Sequence, residues 1–380
     1  MKFVAQPQIS EEEVSLVAET VRSKGLVEGK NARALEEAFA KFTGVKHAIC
    51  TVNGTAALHL AIEGLKIPPG SEIITSSFTF IASANSISFG GCIPIFAEID
   101  SETYNIDPNK IEELITPKTK AILPIHIFGL PSDMKAINDI AVDHNLLVIE
   151  DACQSHGARI DGKHVGTFGN VGCFSFYATK NMITGEGGMV ITNDDELAEI
   201  IQSIKNHGRS PQGGYNHYTI GYNYRLADPL AAIGLIQMNK LPKMLAQRAK
   251  NANTIRKAID ELPSIRTQRI LEGVVHSHYI CAPVVEESSN KSALEIVKEL
   301  NNKGVGSRQI YAVPCHKQPT YLEGIKSWRW SKFVDYPDYS KLNLPITERI
   351  ASSHFEVPIH PGLTEEEVHK IQSSLTEICK

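Results

Sequence analysis

Cysteine is sparse and scattered: the seven residues Cys50, Cys92, Cys153, Cys173, Cys281, Cys315 and Cys379 stand singly, with no C-x-x-C pair among them. That spacing excludes zinc ribbons and dithiol redox motifs and reads as reduced thiols. The 14 histidines include the close pairs His276/His278 and His354/His360, but no H-E-x-x-H spacing occurs, so no metal is expected. No run reaches the roughly 18 apolar residues of a membrane span. The amino terminus turns acidic after a few residues without the apolar centre of a signal peptide, so the expected compartment is the cytoplasm, with no membrane partner. Charge of one sign is also missing: 38 Lys+Arg stand against 43 Asp+Glu, a net −5, without a basic stripe. A nucleic-acid partner is therefore not expected, and any anionic ligand has to be held by local groups. The first strand is not followed by a G-x-G-x-x-G turn, which argues against a nicotinamide dehydrogenase.

What is present is a chain of 380 residues, 42% hydrophobic and 21% charged. That is an ordinary globular balance, long enough for two or three domains and a deep site. From Lys46 to about Asn206, strand-length apolar runs alternate with helix-period segments, the signature of a parallel sheet covered by helices. The strands are predicted at 47–52, 72–76, 93–97, 120–125 and 146–150, and the helices between them at 55–65, 80–89, 108–114 and 133–144. Runs such as Ala121-Ile-Leu-Pro-Ile125 do not alternate with polar residues, so both faces of the sheet should be covered. Two further strands, 172–177 and 188–192, lie close together in a hairpin-like insertion. An irregular loop at 207–218 and an apolar helix at 227–238 follow. The large domain is predicted to end at residue 241. Residues 242–380 should form a smaller α/β domain, with helix to Leu262, a strand at 278–284 and helices at 292–303 and 365–378. Residues 318–341 show no period and read as a long ordered loop.

Three short stretches carry chemistry. Asn53-Gly54-Thr55 joins a buried strand to a helix, where backbone N–H groups and the helix dipole collect an anion such as phosphate. The same residues also suit a plain strand-to-helix turn with a cap. Glu150-Asp151 ends a buried strand, at the edge where ligands of open α/β sheets gather. One of the two should enter that crevice, to bind a ribose, a metal or a cationic ring, unless it only caps a helix or makes a surface ion pair. The stretch from Ser175 to Gly188 brings an apolar strand up to Lys180, then folds back through Gly185-Glu186-Gly187-Gly188. A lysine in a partly desolvated pocket has the lowered pKa that covalent amine chemistry requires, although most single lysines are solvated surface cations.

The order of these words, phosphate turn, strand-end carboxylate, strand and lysine, resembles that of fold-type I pyridoxal-phosphate enzymes, and specifically the sugar-nucleotide aminotransferases. The resemblance runs from Gly25-Leu-Val-Glu-Gly29 through Glu36, Phe39, Gly44-Val-Lys-His-Ala48, Asn53 to Leu58, Glu150-Asp151-Ala152 and Ser175 to Lys180. It continues at Gly221-Tyr-Asn-Tyr-Arg225 and closes at Val357 to Thr364. It implies an aspartate aminotransferase-like α/β fold: a large domain with a mainly parallel sheet and a smaller carboxyl-terminal domain. It further implies pyridoxal 5′-phosphate as cofactor, with Lys180 as the covalently bonded lysine and Asp151 at the pyridine nitrogen. Gly54, Thr55 and Ser175 would hold the phosphate, Phe80 would lie over the ring, with Phe78 the other choice of register, and Gln154 would bond the ring hydroxyl. Asn223 would reach the phosphate held by a neighbouring subunit and Arg225 that subunit's substrate, which implies a homodimer with shared sites. His316 and Glu186 are the remaining substrate-side candidates.

The implied reaction moves an amino group from glutamate to a nucleotide-linked 4-keto-6-deoxy sugar, as in perosamine synthase-like enzymes, because Ile183-Thr-Gly-Glu-Gly-Gly188 resembles the turn of C4 sugar aminotransferases. The alternatives are a pyridoxal-phosphate sugar dehydratase, whose relatives carry histidine where this chain has Lys180, a C3 or cyclitol aminotransferase, and a non-catalytic regulator on the same fold.

Overall fold

A computed structural model describes residues 4–380. Two amino-terminal helices, α1 (Glu11–Arg22) and α2 (Lys30–Thr43), precede an alternating run: β1 (His47–Thr51), α3 (Gly54–Gly64), β2 (Glu72–Ser76), α4 (Ala82–Phe89), β3 (Ile93–Ala97), β4 (Thr119–Leu123), α5 (Met134–Asp143) and β5 (Leu147–Asp151). The short pairs β6 (Arg159–Ile160) and β7 (Lys163–His164) lead to β8 (Val171–Ser175), β9 (Gly188–Thr192), α6 (Asp195–Lys205) and the long α7 (Asp228–Ile259). Beyond lie β10 (Ile265–Arg266), β11 (Val274–Val275), β12 (Val284–Val285), α8 (Ala293–Asn302), α9 (Pro319–Leu322), α10 (Pro345–Ser353) and α11 (Glu365–Ile378).

The main sheet has seven strands in the order β1-β9-β8-β5-β4-β2-β3. Only β9 runs against its neighbours; β2, β3, β4, β5 and β8 pair in parallel. Period-2 alternation sorts the side chains onto two covered faces. Ile49, Ile149 and Cys173 point toward α3 and α6, while Cys50, Phe174 and Met189 point toward α2 and the first half of α7. A separate core forms from the second half of α7 with α8 and α11, beginning at Ala252 and Ile255.

Most predicted strands and helices form, with informative exceptions. Leu241-Pro242, read as the end of the large domain, lies inside α7, a continuous helix of 32 residues that also absorbs the separately predicted 227–238 segment. Proline lacks an N–H donor, which made the break plausible, but packing against α1, α2 and α11 carries the helix through it. Residues 108–114 form two 3-10 turns rather than a helix. The predicted strand at 278–284 keeps only β12 and an isolated bridge from Cys281 to Val357, because His278 has φ +51° and turns the chain. Residues 318–341 are short helical turns locked down by Trp328 and Trp330, whose indole N–H groups donate to the carbonyls of Ser88 and Phe89 at the end of α4.

One carboxylate ties the amino terminus to the rest. Asp228 opens α7, and its side chain caps α2: Oδ1 accepts from the amides of Gly29 and Ala32 at 2.9 Å each, and Oδ2 from Asn31 Nδ2 at 3.0 Å. It is buried, so its removal orphans donors at a helix start. We expect Asp228→Ala to lower the unfolding free energy by about 2–4 kcal/mol. Asp228→Asn should lose less, and chemical denaturation of the two variants measures the difference.

Candidate active site

The parallel strands end on a cavity of about 550 Å³. One side is built from the first turns after β1, β2, β5 and β8, the location that open α/β sheets reserve for ligands, and the other from Tyr279 to Ile280 and Arg308 to Tyr311. After β1, Asn53 caps α3 by accepting from the Ala56 amide at 2.8 Å, leaving the free amides at the helix start beside Gly54 and Thr55, which line the cavity. Gly54 is required by close approach: a Cβ there would lie 2.7 Å from Ser175 Cβ at the end of β8. The helix start is thus pressed onto the tip of β8, and Thr55 and Ser175 face the same space.

At the end of β5 the two acids part. Glu150 shares a face with Val148 and is fully buried away from the cavity. Its oxygens accept from the amides of Gly166 and Phe168 at 2.6 Å, Gly169 at 2.7 Å, and meet His126 Nε2 at 3.0 Å. Asp151 shares a face with Ile149 and opens on the cavity. Ser83 Oγ donates to its Oδ2 at 2.7 Å and the Cys153 amide to Oδ1 at 3.1 Å, one partner per oxygen. Both bonds fix the orientation of the carboxylate. Burial pushes the adjacent Cys153 thiol well up, and the Asp151 charge adds to that, so the thiol stays protonated.

Lys180 follows β8 into the same cavity, its Nζ 4.3 Å from the centre of the Tyr279 ring. Gln154 is held by its Oε1, which accepts from the Phe128 amide at 2.9 Å, while Nε2 donates to Tyr311 Oη at 3.4 Å. Phe80 lines the cavity and is 57% exposed, whereas Phe78 is buried among Phe128, Tyr311 and His354. The predicted start of the helix at Phe80 moves to Ala82, which leaves Phe80 free in the turn. Glu186 also borders the cavity.

Three predicted residues do not reach it. His316 is fully buried behind the end of β2, with Nδ1 2.7 Å from Ser77 Oγ and Nε2 3.1 Å from Glu348 Oε1. Burial keeps it neutral by lowering its pKa, against the pull of Glu348, and its two hydrogen bonds leave it no donor for a substrate. Asn223 is exposed and Arg225 donates to Asn206 Oδ1 at 2.8 Å, both outside this cavity. Their segment is pinned at the sheet edge, where the Val52 amide donates to Tyr224 O at 2.8 Å.

Sequence reasoning missed Ser83, Tyr279, Arg308 and Tyr311. Ser83 had a faint signal, a hydroxyl in the first turn of the helix after β2. The others come from the carboxyl-terminal third, where no spacing announces them.

Comparison with known proteins agrees with this geometry. The DegT/DnrJ/EryC1/StrS aminotransferase family matches residues 7–376. This chain belongs to that family. A pleiotropic regulatory protein of Geobacillus stearothermophilus is 36% identical over 379 residues, 98% of this chain and 96% of that one. A GDP-perosamine synthase of Caulobacter vibrioides is 35% identical over 377 residues, 99% and 97% of the two chains. The structure of NtdA from Bacillus subtilis, with bound cofactor PMP, superposes with a TM-score of 0.87 at 28% identity, covering 97% of this chain and 81% of that one. The DegT/DnrJ/EryC1/StrS chain is therefore a pyridoxal-phosphate-dependent sugar aminotransferase of fold type I. Its residues fit the group: a helix start for a phosphate, a carboxylate turned inward, and a lysine beside an open space. Among the described residues no helix is long and apolar enough to cross a membrane.

The parting of the two acids makes a sharp prediction. Glu150→Gln puts an amide donor in place of one carboxylate oxygen, against either the Phe168 and Gly169 amides or the Gly166 amide and His126, and should cost about 2–4 kcal/mol of stability. Asp151→Asn should cost under about 1 kcal/mol, because an amide oxygen still accepts from Ser83 or Cys153. Denaturation midpoints of the two variants, compared with the parent, check the order.

Proposed function

We propose that this chain moves the amino group of glutamate to C4 of a nucleotide-linked 4-keto-6-deoxy sugar, in amino-sugar biosynthesis. The observation that carries the reading is the convergence of Lys180, Asp151 and the Gly54–Thr55 helix start on one cavity. The turn from Ile183 to Gly188 and the likeness to a GDP-perosamine synthase support the C4 position.

Bound pyridoxal phosphate supplies an electron sink and a carrier for the amino group. Toward it, the amides at the start of α3 with Thr55 and Ser175 would hold the phosphate, Phe80 would cover the ring, and Gln154 Nε2 would donate to the ring hydroxyl. Asp151, oriented by Ser83 and the Cys153 amide, would pair with the ring nitrogen and favour a proton there. Lys180 Nζ would take the proton from the substrate Cα as base and, as acid, deliver it to the cofactor carbon that bears the transferred nitrogen. The Tyr279 face, 4.3 Å from Nζ, holds the side chain inside the cavity where both half-reactions would take place.

A homodimer with shared sites is part of the proposal. Asn223 and Arg225, pinned at the sheet edge and absent from their own cavity, suit a neighbouring subunit's cofactor and substrate, and a two-fold dimer would use the same patch twice. The name of the Geobacillus relative favours a second reading, a regulator on this fold.

With pyridoxal phosphate added, the purified protein should show a visible band that glutamate bleaches and 2-oxoglutarate restores. In the reverse direction a 4-amino nucleotide sugar should react faster than its 3-amino isomer. Lys180→Ala should lose several orders of magnitude in rate, and Asp151→Asn should keep the cofactor but lose most of the rate. Preference for the 3-amino compound overturns the C4 assignment, and a parent protein that no amino donor bleaches points to the regulator.

Subunit sharing has its own readout. Lys180→Ala protein and an Asn223→Ala/Arg225→Ala double variant, each inactive, should regain activity toward half per mixed dimer after exchange. No recovery despite proven exchange would place these residues outside any shared site.

A further inference from the structure

The segment that carries Asn223 and Arg225 is gripped from behind by the helix that opens the cofactor cavity. Thr55, His59 and Glu63 are spaced by four along α3 and form one row on it. Thr55 lines the cavity. The other two hold the tyrosines on either side of Asn223. Tyr224 Oη lies 3.3 Å from His59 Nδ1, Tyr222 Oη donates to Glu63 Oε1 at 3.4 Å, and His59 Nε2 meets the same carboxylate oxygen at 3.3 Å. The Tyr222 and Tyr224 rings stack with centroids 4.9 Å apart, and the Tyr222 ring lies 4.9 Å from the imidazole. His59 is buried, and Phe89 of α4 packs edge-on against it. The contact with His59 lowers the pKa of Glu63 against the effect of burial, so the carboxylate stays charged.

Backbone pairing alone does not aim this segment. The amides of Tyr222 and Tyr224 donate to the carbonyls of Ile204 at 2.6 Å and Lys205 at 2.9 Å, and the Tyr222 carbonyl accepts from the His207 amide at 2.8 Å. These bonds set its height at the sheet edge, while rotation about its own axis is left to the side chains. Alternation puts Asn223 and Arg225 on the side opposite the two tyrosines. The hold of α3 on the tyrosine rings therefore sets the direction in which the amide and the guanidinium point. We propose that His59 and Glu63, through Tyr222 and Tyr224, position Asn223 and Arg225 for the neighbouring subunit, so that the helix whose first turn would hold one cofactor also aims the residues that serve the other. This deepens the proposed transamination and rests on its shared sites.

The test uses mixed dimers in which only one chain keeps Lys180, purified through a different affinity tag on each chain. The visible band formed with pyridoxal phosphate then reports the one site that has the lysine, and its titration gives an affinity that needs no turnover. Placed on the Lys180→Ala chain, the pair Tyr222→Phe/Tyr224→Phe, which keeps both rings and removes both hydroxyls, should weaken that affinity about 10-fold. Placed on the chain that keeps Lys180, the same pair should change it less than about twofold. A merely structural role would weaken both arrangements alike. Glu63→Ala should repeat the one-sided loss, and Glu63→Gln, whose amide oxygen still accepts from Tyr222, should lose less than about threefold. Asn223→Ala on the Lys180→Ala chain sets the scale, with a loss at least as large as that of the tyrosine pair. A loss from Asn223→Ala in that arrangement with none from the tyrosine pair overturns the proposal alone, and so does a loss of equal size from the tyrosine pair on either chain. No loss from Asn223→Ala on the Lys180→Ala chain overturns the shared site, and the proposal with it. Should the tyrosine pair fail to fold, Glu63→Ala, at a half-exposed carboxylate, decides by the same comparison.

Discussion

The site depends on how closely three strand tips are brought together. Gly54 sits against Ser175 so tightly that a single methyl group would collide with it, and Gly188 approaches the Asn53 carbonyl closely enough that its own Cβ would lie 2.5 Å from that oxygen. This packing points the start of α3, the end of β8 and the turn before Lys180 into one space. The antiparallel β9 makes it possible: it returns the chain between β1 and β8, so that the residues on either side of the Lys180 turn are both anchored in the sheet. A lysine on a free loop would sample many positions; here its turn starts and ends in buried strands.

The same economy governs charge. Glu150 and Asp151 are adjacent, yet one is structural and the other faces the ligand space. Period-2 alternation alone separates them, and the surroundings then complete the difference. Glu150 receives three backbone amides and an imidazole, a full shell that leaves it inert. Asp151 receives one donor per oxygen, enough to orient it and still leave lone pairs for a cationic ring. Arg308 and Glu356 repeat the pattern in the smaller domain, where a buried carboxylate holds one edge of a guanidinium and leaves the other edge open.

Aromatic side chains set the boundaries of the cavity. Phe78 belongs to the core and Phe80 to the cavity, although only Thr79 lies between them. Farther out, Trp328 and Trp330 cap the end of α4, the helix whose first turn carries Ser83. A segment that reads as unpatterned loop thereby supports the residue that holds Asp151.

Local chemistry was legible in the sequence. The buried parallel strands, the glycine-bearing phosphate turn, the strand-end acids and the lysine before Gly185-Glu186-Gly187-Gly188 are all short-range patterns, each written within a dozen residues. They determined the α/β class and brought forward Gly54, Thr55, the Glu150-Asp151 pair and Lys180; the family resemblance added Phe80, Gln154 and Ser175 and chose Asp151, and all of these except Glu150 line one cavity. What tertiary structure alone decided involves partners far apart in the chain. The continuity of α7 through Pro242 comes from helices packed along it, His316 is claimed by Ser77 and Glu348, and Tyr279, Arg308 and Tyr311 arrive from a domain whose sequence has no periodic signal at those positions. Spacing along a chain records what one turn or one strand needs; it does not record which distant side chain has already taken a hydrogen bond, and that competition settled which residues face the ligand.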